Sequence, residues 1–484
     1  MTAHLPRHES VLDAIGRTPL IRLARLGAGL PAPIYLKAEF LNPGMSVKDR
    51  AALAMVRAAE ESGALGPGGT IVEGTSGNTG IGLAIVAAQR GYRCVVVLPD
   101  KTSPDKVAVL RAYGAQVILT PATRPAEHPE QVRNLARSIS AQTPGGWLAD
   151  QYDNPANPHA HVVTTGPEIW QQTQGRITHF VAGIGTGGTI SGTGTYLKKV
   201  SAGAVRVIGA DPRTSVYGGG DGSPYAVEAI GHYVHPETAR DVWPLSYDES
   251  VVDRIERIED RESIDVMHRL AREEGLLVGG SSGTAVAAAL RVARDASPDD
   301  LVVVIAPDSG RGYLSRYFNE DWLMVMGFRD GDGSGRPIFA DRAAAAGPAP
   351  AIARHATAAQ ARASLAEGAV GGGGAGVGAG DADGLALVVL DRRTGGSESW
   401  AVGDVAGVLP YAALRGLSDD EPIAAHVQPL PQAAGVGEKV ADVEERLPRE
   451  QSWIPVLRDS RVVAVVARTG ATGQPGVSAE EESA

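Results

Sequence analysis

The sequence predicts an α/β protein whose main part is two lobes, each a mostly parallel sheet with flanking helices, followed by a smaller α+β region. Three observations predict this. Short apolar strands alternate with helix-length segments from residue 70 to 119 and again from 179 to 305, the rhythm of a parallel sheet. A long stretch without that rhythm separates the two groups, which argues for two lobes with a site between them. After Phe328 the composition turns to Ala and Gly, and Arg329-Asp330-Gly331-Asp332-Gly333-Ser334-Gly335 reads as a flexible linker.

In chain order, the first ten residues carry no clear signal. Ile34-Tyr35-Leu36-Lys37 reads as a strand. Asn42-Pro43-Gly44 is a turn, and an Ala-rich helix follows, which puts Lys48 in a first helical turn. Thr70-Ile71-Val72-Glu73 is a strand, 74–80 a loop and 81–89 a helix. The next strand is 93–98. Ser103-Pro104 caps a helix that runs to Tyr113, and 116–119 is a strand. His179-Phe180-Val181-Ala182 restarts the pattern with a glycine loop, a helix through Lys199 and the strand Arg206-Val207-Ile208-Gly209. A strand at Leu276-Leu277-Val278, a Gly/Ser loop, a helix over 285–293 and a strand over 301–305 complete it.

Beyond the linker a weak repeat is legible. A helix at 358–365 precedes strands at 385–390 and at Trp400-Ala401-Val402. A helix at 440–447 precedes strands at Ile454-Pro455-Val456-Leu457 and 461–466. The low-complexity run at 371–380 reads as a disordered loop.

Composition narrows the function. The chain has 484 residues, a net charge of -11, and no run that interleaves basic and aromatic residues, which argues against nucleic acid. No apolar run approaches the length of a membrane span, and the N-terminus lacks a signal-peptide core. The one cysteine, Cys94, cannot pair within the chain and sits in a strand-like context. A soluble, cytoplasmic protein is expected.

Three loops that open helices are rich in Gly, Ser and Thr. They are Thr75-Ser76-Gly77-Asn78-Thr79, Gly183-Ile184-Gly185-Thr186-Gly187-Gly188-Thr189 and Gly279-Gly280-Ser281-Ser282-Gly283-Thr284. Each offers unpaired backbone N–H groups to an anion. Gly183, Gly185 and Gly188, with Asp211 at the end of the next strand, also match a dinucleotide fingerprint. That rival leaves the Lys48 segment and the 75–79 loop without a purpose. An isolated Lys48 would be a surface residue paired with Asp49. Beside these loops it reads differently. A helix N-terminus disfavours an ammonium, so the position suits a lysine that must be neutral to act as nucleophile or base. A phosphate loop, such a lysine and hydroxyl-rich loops together point to pyridoxal 5'-phosphate.

Residues from about Val11 to Phe328 resemble the cysteine synthase/cystathionine β-synthase family, in the fold type II (tryptophan synthase β-like) group of pyridoxal-phosphate enzymes. The segments that carry the resemblance are Gly16-Arg17-Thr18-Pro19-Leu20, Ser46-Val47-Lys48-Asp49-Arg50, the 75–79 loop, Gln151-Tyr152-Asp153-Asn154-Pro155-Ala156-Asn157-Pro158, 185–189 and 279–283. The C-terminal region resembles a degenerate tandem pair of the CBS regulatory domains named after that family. The expected domains are thus a catalytic domain at 1–328, a linker at 329–350 and the CBS-like pair at 351–484.

The resemblance implies roles. Lys48 would be the Schiff-base lysine and the base at Cα. Asn78 would bond the cofactor's 3'-oxygen. Gly185, Thr186, Gly187, Gly188 and Thr189 would hold its phosphate without a basic side chain. Ser281 would face the pyridine nitrogen, and a hydroxyl there leaves the ring a weaker electron sink, which favours prompt loss of a β-substituent. Thr75, Ser76, Thr79 and Gln151 would hold the substrate carboxylate, and Gly231 would lie on the substrate side. The family often reads Glu-Gly-Ile-Gly-Tyr there, whereas this chain has Glu228-Ala229-Ile230-Gly231-His232.

The implied activity is β-replacement, condensing L-serine with L-homocysteine to cystathionine through an aminoacrylate. Cysteine synthase chemistry on O-acetylserine or O-phosphoserine, another pathway-specific β-replacement, and a non-catalytic cofactor-binding subunit are the alternatives. A homodimer or higher homo-oligomer is implied, with amino acids as the only ligands besides the cofactor. The pairs His159/His161 and His232/His235 lack partners for a metal, and no haem segment is expected. The ribose-binding acid that usually follows the last CBS strand is not evident at Ala467-Arg468-Thr469-Gly470-Ala471, so dimerisation or a structural role is expected of that region rather than adenosyl sensing.

Overall fold

The computed structural model describes residues 8–122, 124–331, 338–368, 385–390 and 399–468. Most of the 329–335 linker, the 371–380 run and 469–471 lie outside them. The chain divides into two compact units, Met1–Phe318 and Asn319–Ala484.

The first unit contains strands β1 (Leu20–Arg22), β2 (Ile34–Ala38), β3 (Thr70–Gly74), β4 (Arg93–Pro99), β5 (Gln116–Thr120), β6 (Gly146–Leu148), β7 (His179–Gly183), β8 (Arg206–Pro212), β9 (Arg254–Ile258) and β10 (Val302–Ala306). They form two sheets. One is parallel throughout, in the order β5-β4-β3-β6. The other runs β1-β2-β10-β7-β8-β9, with β1 alone antiparallel. Every residue of β3 and of β10 is buried, as expected where helices cover both faces. The first sheet is inserted in sequence between β2 and β7 of the second.

That insertion places Lys48. The chain leaves β2, turns, and enters helix Lys48–Glu61, whose Ala51, Ala52, Met55, Val56 and Ala59 face the core of the other lobe beside Leu83 and Val86. Backbone bonds pin the turn to the end of β10, from Val47 N to Pro307 O (2.7 Å) and from Ser309 N to Met45 O (3.1 Å). Two residues on, Arg50 is buried between the fully buried Glu39 and the half-buried Glu168. It grips Glu39 through Nε and Nη2 (2.8 Å each) and Glu168 through Nη1 (2.7 Å). Lys37, fully buried, donates to Glu168 (2.7 Å) and to Thr18 O (2.6 Å). These charges hold the start of the helix in register with β2.

The second unit contains β11 (Ala351–Ala353), β12 (Leu385–Val389), β13 (Trp400–Ala401), β14 (Val405–Pro410), β15 (Ala434–Gly435), β16 (Trp453–Arg458) and β17 (Arg461–Ala467). The repeat is explicit. β11 pairs parallel with β12, and β12 antiparallel with β14. β15 pairs parallel with β16, and β16 antiparallel with β17. Helices Ala358–Gly368 and Val440–Arg446 follow β11 and β15.

Some expectations need correction. The counterpart of β17 is β14, not Trp400-Ala401-Val402. β13 instead joins the other copy's sheet as the neighbour of β17. The stretch read as a linker holds helix Phe339–Ala346, whose Phe339 is fully buried with Val436 and Ile454. Leu276-Leu277-Val278 forms only an isolated bridge, Val278 to Ser309. Its following helix starts at Gly280, not Ala285, and the helix after β3 starts at Asn78, not Ile81. In both cases Gly, Ser and Thr, which read as loop, are the first helical turn.

Candidate active site

A cavity in the first unit is walled by Lys48, by Gly185, Thr186, Gly187 and Thr189 after β7, by Ala229 and Ile230, and by Ser281. Lys48 Nζ lies 3.3 Å from Thr186 Oγ1. Burial lowers the ammonium to about 8, against an opposing pull from the Glu73 carboxyl. Asp49, the partner expected of an ordinary surface lysine, turns away and accepts from Gly44 N (2.5 Å).

The glycine loop is shaped by close approach. Gly187 caps helix Gly188–Val200 at φ 87°, and a Cβ on Gly188 would lie 2.2 Å from Asn157 Oδ1. Asn157 Nδ2 in turn donates to Gln151 O (2.6 Å) and Thr186 Oγ1 (3.2 Å). Thr189 Oγ1 meets His161 Nε2 (3.3 Å), and the other ring nitrogen meets Thr165 Oγ1 (2.8 Å). Burial pulls His161 down to about 3, so it is a neutral buttress behind the loop. Ser281 stands in the first turn of helix Gly280–Asp295. Its Oγ is buried and has no hydrogen-bond partner among the described residues.

The 75–79 loop faces from the other lobe. Thr75 Oγ1 accepts from Gly77 N (3.2 Å), and Thr79 Oγ1 donates to Gln151 Oε1 (2.5 Å). Asn78 Nδ2 donates to Asp308 Oδ2 (2.7 Å). Ser76 is half-buried between Thr75 and Gly77. Beneath them Glu73 is fully buried, and burial pushes it up to about 8. Thr75, Ser76, Asn78, Thr79, Gln151, Gly188 and Gly231 are not among the residues that line the cavity itself. Gly231, at φ 80°, donates its N–H to Ile184 O (2.6 Å) and so ties its segment to the glycine loop. Ala229 takes φ 64°, a left-handed conformation that costs a residue with a Cβ about 1 kcal/mol. His232 Nε2 lies 2.7 Å from Asp241 Oδ1, and its ring packs on Tyr217, whose OH donates to Gly185 O (2.9 Å).

Sequence reasoning missed Asn157, His161, Tyr217 and Asp308 as parts of the site. In the sequence Asn157 carries no signal beyond its place in the 151–158 segment, and His161 reads only as a candidate metal ligand. Asp211, the acid of the rival dinucleotide reading, is fully buried and accepts from Gly218 N (2.8 Å).

Comparison with known proteins places this geometry. The profile of the family described as pyridoxal-phosphate dependent enzyme matches residues 11–308. The chain belongs to that family. Cystathionine beta-synthase of Apis mellifera is 45% identical over 320 residues, covering 66% of this chain and 63% of that protein. The Oryctolagus cuniculus protein of the same name is 42% identical over 326 residues, covering 66% and 58%. The match therefore spans less than two thirds of these relatives' own length. Among solved structures, O-ureido-L-serine synthase superimposes with a TM-score of 0.59 at 39% identity, covering 66% of this chain and 99% of that one. A hydrogen sulfide-producing enzyme from Fusobacterium nucleatum gives 0.59 at 33%, covering 64% and 100%.

As a member of this family the protein is a pyridoxal-phosphate enzyme with the fold type II architecture. The residues present fit the cofactor. A lysine of lowered proton affinity shares one cavity with a helix N-terminus that can take a phosphate and with a buried hydroxyl, without a partner among the described residues, suited to a ring nitrogen.

Proposed function

We propose that this enzyme joins L-serine and L-homocysteine to give cystathionine and water. The observation that carries the reading is the placement of Lys48 Nζ in a cavity whose other polar groups are hydroxyls and backbone, with no carboxylate among its lining residues. Two relatives named cystathionine beta-synthase, at 45% and 42% identity, support the choice of substrates. Bound pyridoxal phosphate supplies an electron sink for the substrate Cα.

The chain's own residues do the rest. Gly185, Thr186, Gly187, Gly188 and Thr189 hold the phosphate, Asn78 the 3'-oxygen and Ser281 the ring nitrogen. Thr75, Ser76, Thr79 and Gln151 hold the substrate carboxylate and orient its Cα–H toward Lys48. Lys48 takes the Cα proton and returns a proton to the departing β-hydroxyl, which leaves as water. The homocysteine thiol, entering past Ala229, Ile230 and Gly231, gives its proton to Lys48 as its sulfur forms the new C–S bond at the β-carbon, and Lys48 returns that proton to Cα.

Serine or O-acetylserine supplied with homocysteine or with sulfide, followed by product analysis, tests this. Cystathionine from serine and homocysteine is the expected product. Cysteine formed from O-acetylserine and sulfide, with no cystathionine, would replace it with the second reading. The O-ureido-L-serine synthase and the sulfide-producing enzyme among the similar structures support keeping another, pathway-specific β-replacement as an alternative.

The second unit is read as the degenerate CBS-domain pair, serving assembly of a cytoplasmic homodimer or larger homo-oligomer. Tight binding of adenosylmethionine to the full chain, measured by isothermal titration, would contradict a purely structural role.

A further inference from the structure

Asp308, just past β10, is 2% exposed, and its Oδ2 accepts two hydrogen bonds, from Asn78 Nδ2 (2.7 Å) and from Tyr313 OH (2.5 Å). Its Oδ1 is buried without a hydrogen-bond partner among the described residues. It can stand there only because residue 279 is glycine, whose added Cβ would lie 2.2 Å from that oxygen. Tyr313 OH also receives Lys106 Nζ (2.8 Å), and the ammonium sits 4.1 Å from the centre of the Tyr313 ring. Lys106 is itself buried and pairs with Glu228 (3.1 Å), which Arg316 holds from the other side (2.8 Å). Glu228 immediately precedes Ala229 and Ile230 of the cavity wall.

The chemistry of a carboxamide gives this chain its meaning. An asparagine side chain presents N–H on one side and a carbonyl oxygen on the other, and a half-turn exchanges them. A carboxylate accepts only from the N–H side. Asp308 therefore fixes which face of Asn78 is turned where, and leaves the second N–H available. Without it, the amide can turn its carbonyl toward an anionic oxygen of the cofactor, and an attraction becomes a repulsion.

We propose that Asp308 is a positioning residue that holds the Asn78 carboxamide donor-side toward the cofactor, and that Tyr313 and Lys106 make this orientation depend on Glu228 at the base of the 229–232 segment. The proposal rests on the cofactor reading of Asn78 given above. It assigns a task to a buried acid that is not among the residues lining the cavity.

The test is a double-mutant cycle on the full chain. Apoenzyme of the parent, Asn78→Ala, Asp308→Ala and the double variant is titrated with pyridoxal phosphate, read by the visible absorption band, with thermal unfolding of each apoenzyme alongside. Asp308→Ala is expected to weaken cofactor binding about tenfold and to move the band, whereas in the Asn78→Ala background it adds less than about twofold. Asp308→Asn keeps a carbonyl acceptor and is expected to recover binding to within about threefold of the parent.

An effect of Asp308→Ala that is as large without Asn78 as with it means a general structural role and overturns the proposal. So does parental binding by Asp308→Ala. Should that variant fail to fold, Asp308→Ser, one bond too short to reach Asn78, takes its place in the same cycle. A parent chain that develops no visible band with pyridoxal phosphate, or a band indifferent to Lys48→Ala, removes the cofactor reading itself and this proposal with it.

Discussion

Lys48 opens helix Lys48–Glu61, where the helix dipole and burial both disfavour an ammonium, and burial is the largest cause of the fall from 10.5 to about 8. The shift has a stability consequence. With a folded pKa below the unfolded one, the native apoenzyme binds fewer protons than the unfolded chain between pH 8 and 10.5, so its stability gains with rising pH across that window. Below pH 8 the buried charge costs the native state its full penalty. Lys48→Met apoenzyme is therefore expected to be more stable than the parent at pH 7, with the gap closing as pH rises toward 10.5. Urea denaturation at several pH values checks this, and a gap that widens with pH would reverse the sign argued here. The helical address of Lys48 was legible, because a Pro-Gly turn before an Ala-rich run is local information. The proximity of Glu73 and the two-sided grip of Asp308 were not, because those carboxylates come from β3 and from beyond β10 and meet the site only after the sheets form.

At the scale of elements, strand–helix alternation was readable wherever a strand was a buried apolar run, as in β3, β4, β7 and β10. The three-residue strands β1 and β6 have too little sequence to show a period. Helix starts were misplaced at Asn78 and Gly280 because residues chosen for an anion-facing turn are poor helix formers. The start of Lys48–Glu61 depends on Arg50. Replacing Arg50 by Ala leaves the fully buried Glu39 without its cation, and a loss of about 3–5 kcal/mol in unfolding free energy is expected by chemical denaturation. A change within about 0.5 kcal/mol would show that the pair matters little. Gly188→Ala drives a Cβ into Asn157 and dislodges Thr186 with it. Its cofactor affinity is expected to fall at least about tenfold, the scale of one lost hydrogen bond, and the apoenzyme to lose about 1–3 kcal/mol from the overpacked contact. Equal affinity in a titration would mean that the loop can yield without losing its shape.

Across the whole molecule, Cys94 is the single cysteine of the chain, buried in β4, and burial pushes its thiol up to about 12. A thiol reagent is expected to leave the native protein unmodified and to label it over the same denaturant range in which the first unit loses ellipticity. Prompt labelling without denaturant would place that lobe in frequent local opening. The composition change after Phe328 lies ten residues past the observed start of the second unit at Asn319, whereas the duplicated character of that unit was legible as a weak helix–strand repeat. Its wiring was not, because Trp400 and Ala401 read as the closing strand of the copy that surrounds them in sequence. β13 lies between β12 and β14 along the chain yet pairs with β17, so the second copy's sheet is completed by a strand made within the first. A ribosome that has released only the first copy has produced a strand with no partner. The second unit is therefore expected to unfold and refold as one kinetic event with a single chevron. A nascent or truncated chain ending before β17 exposes an edge open to pairing with its neighbours.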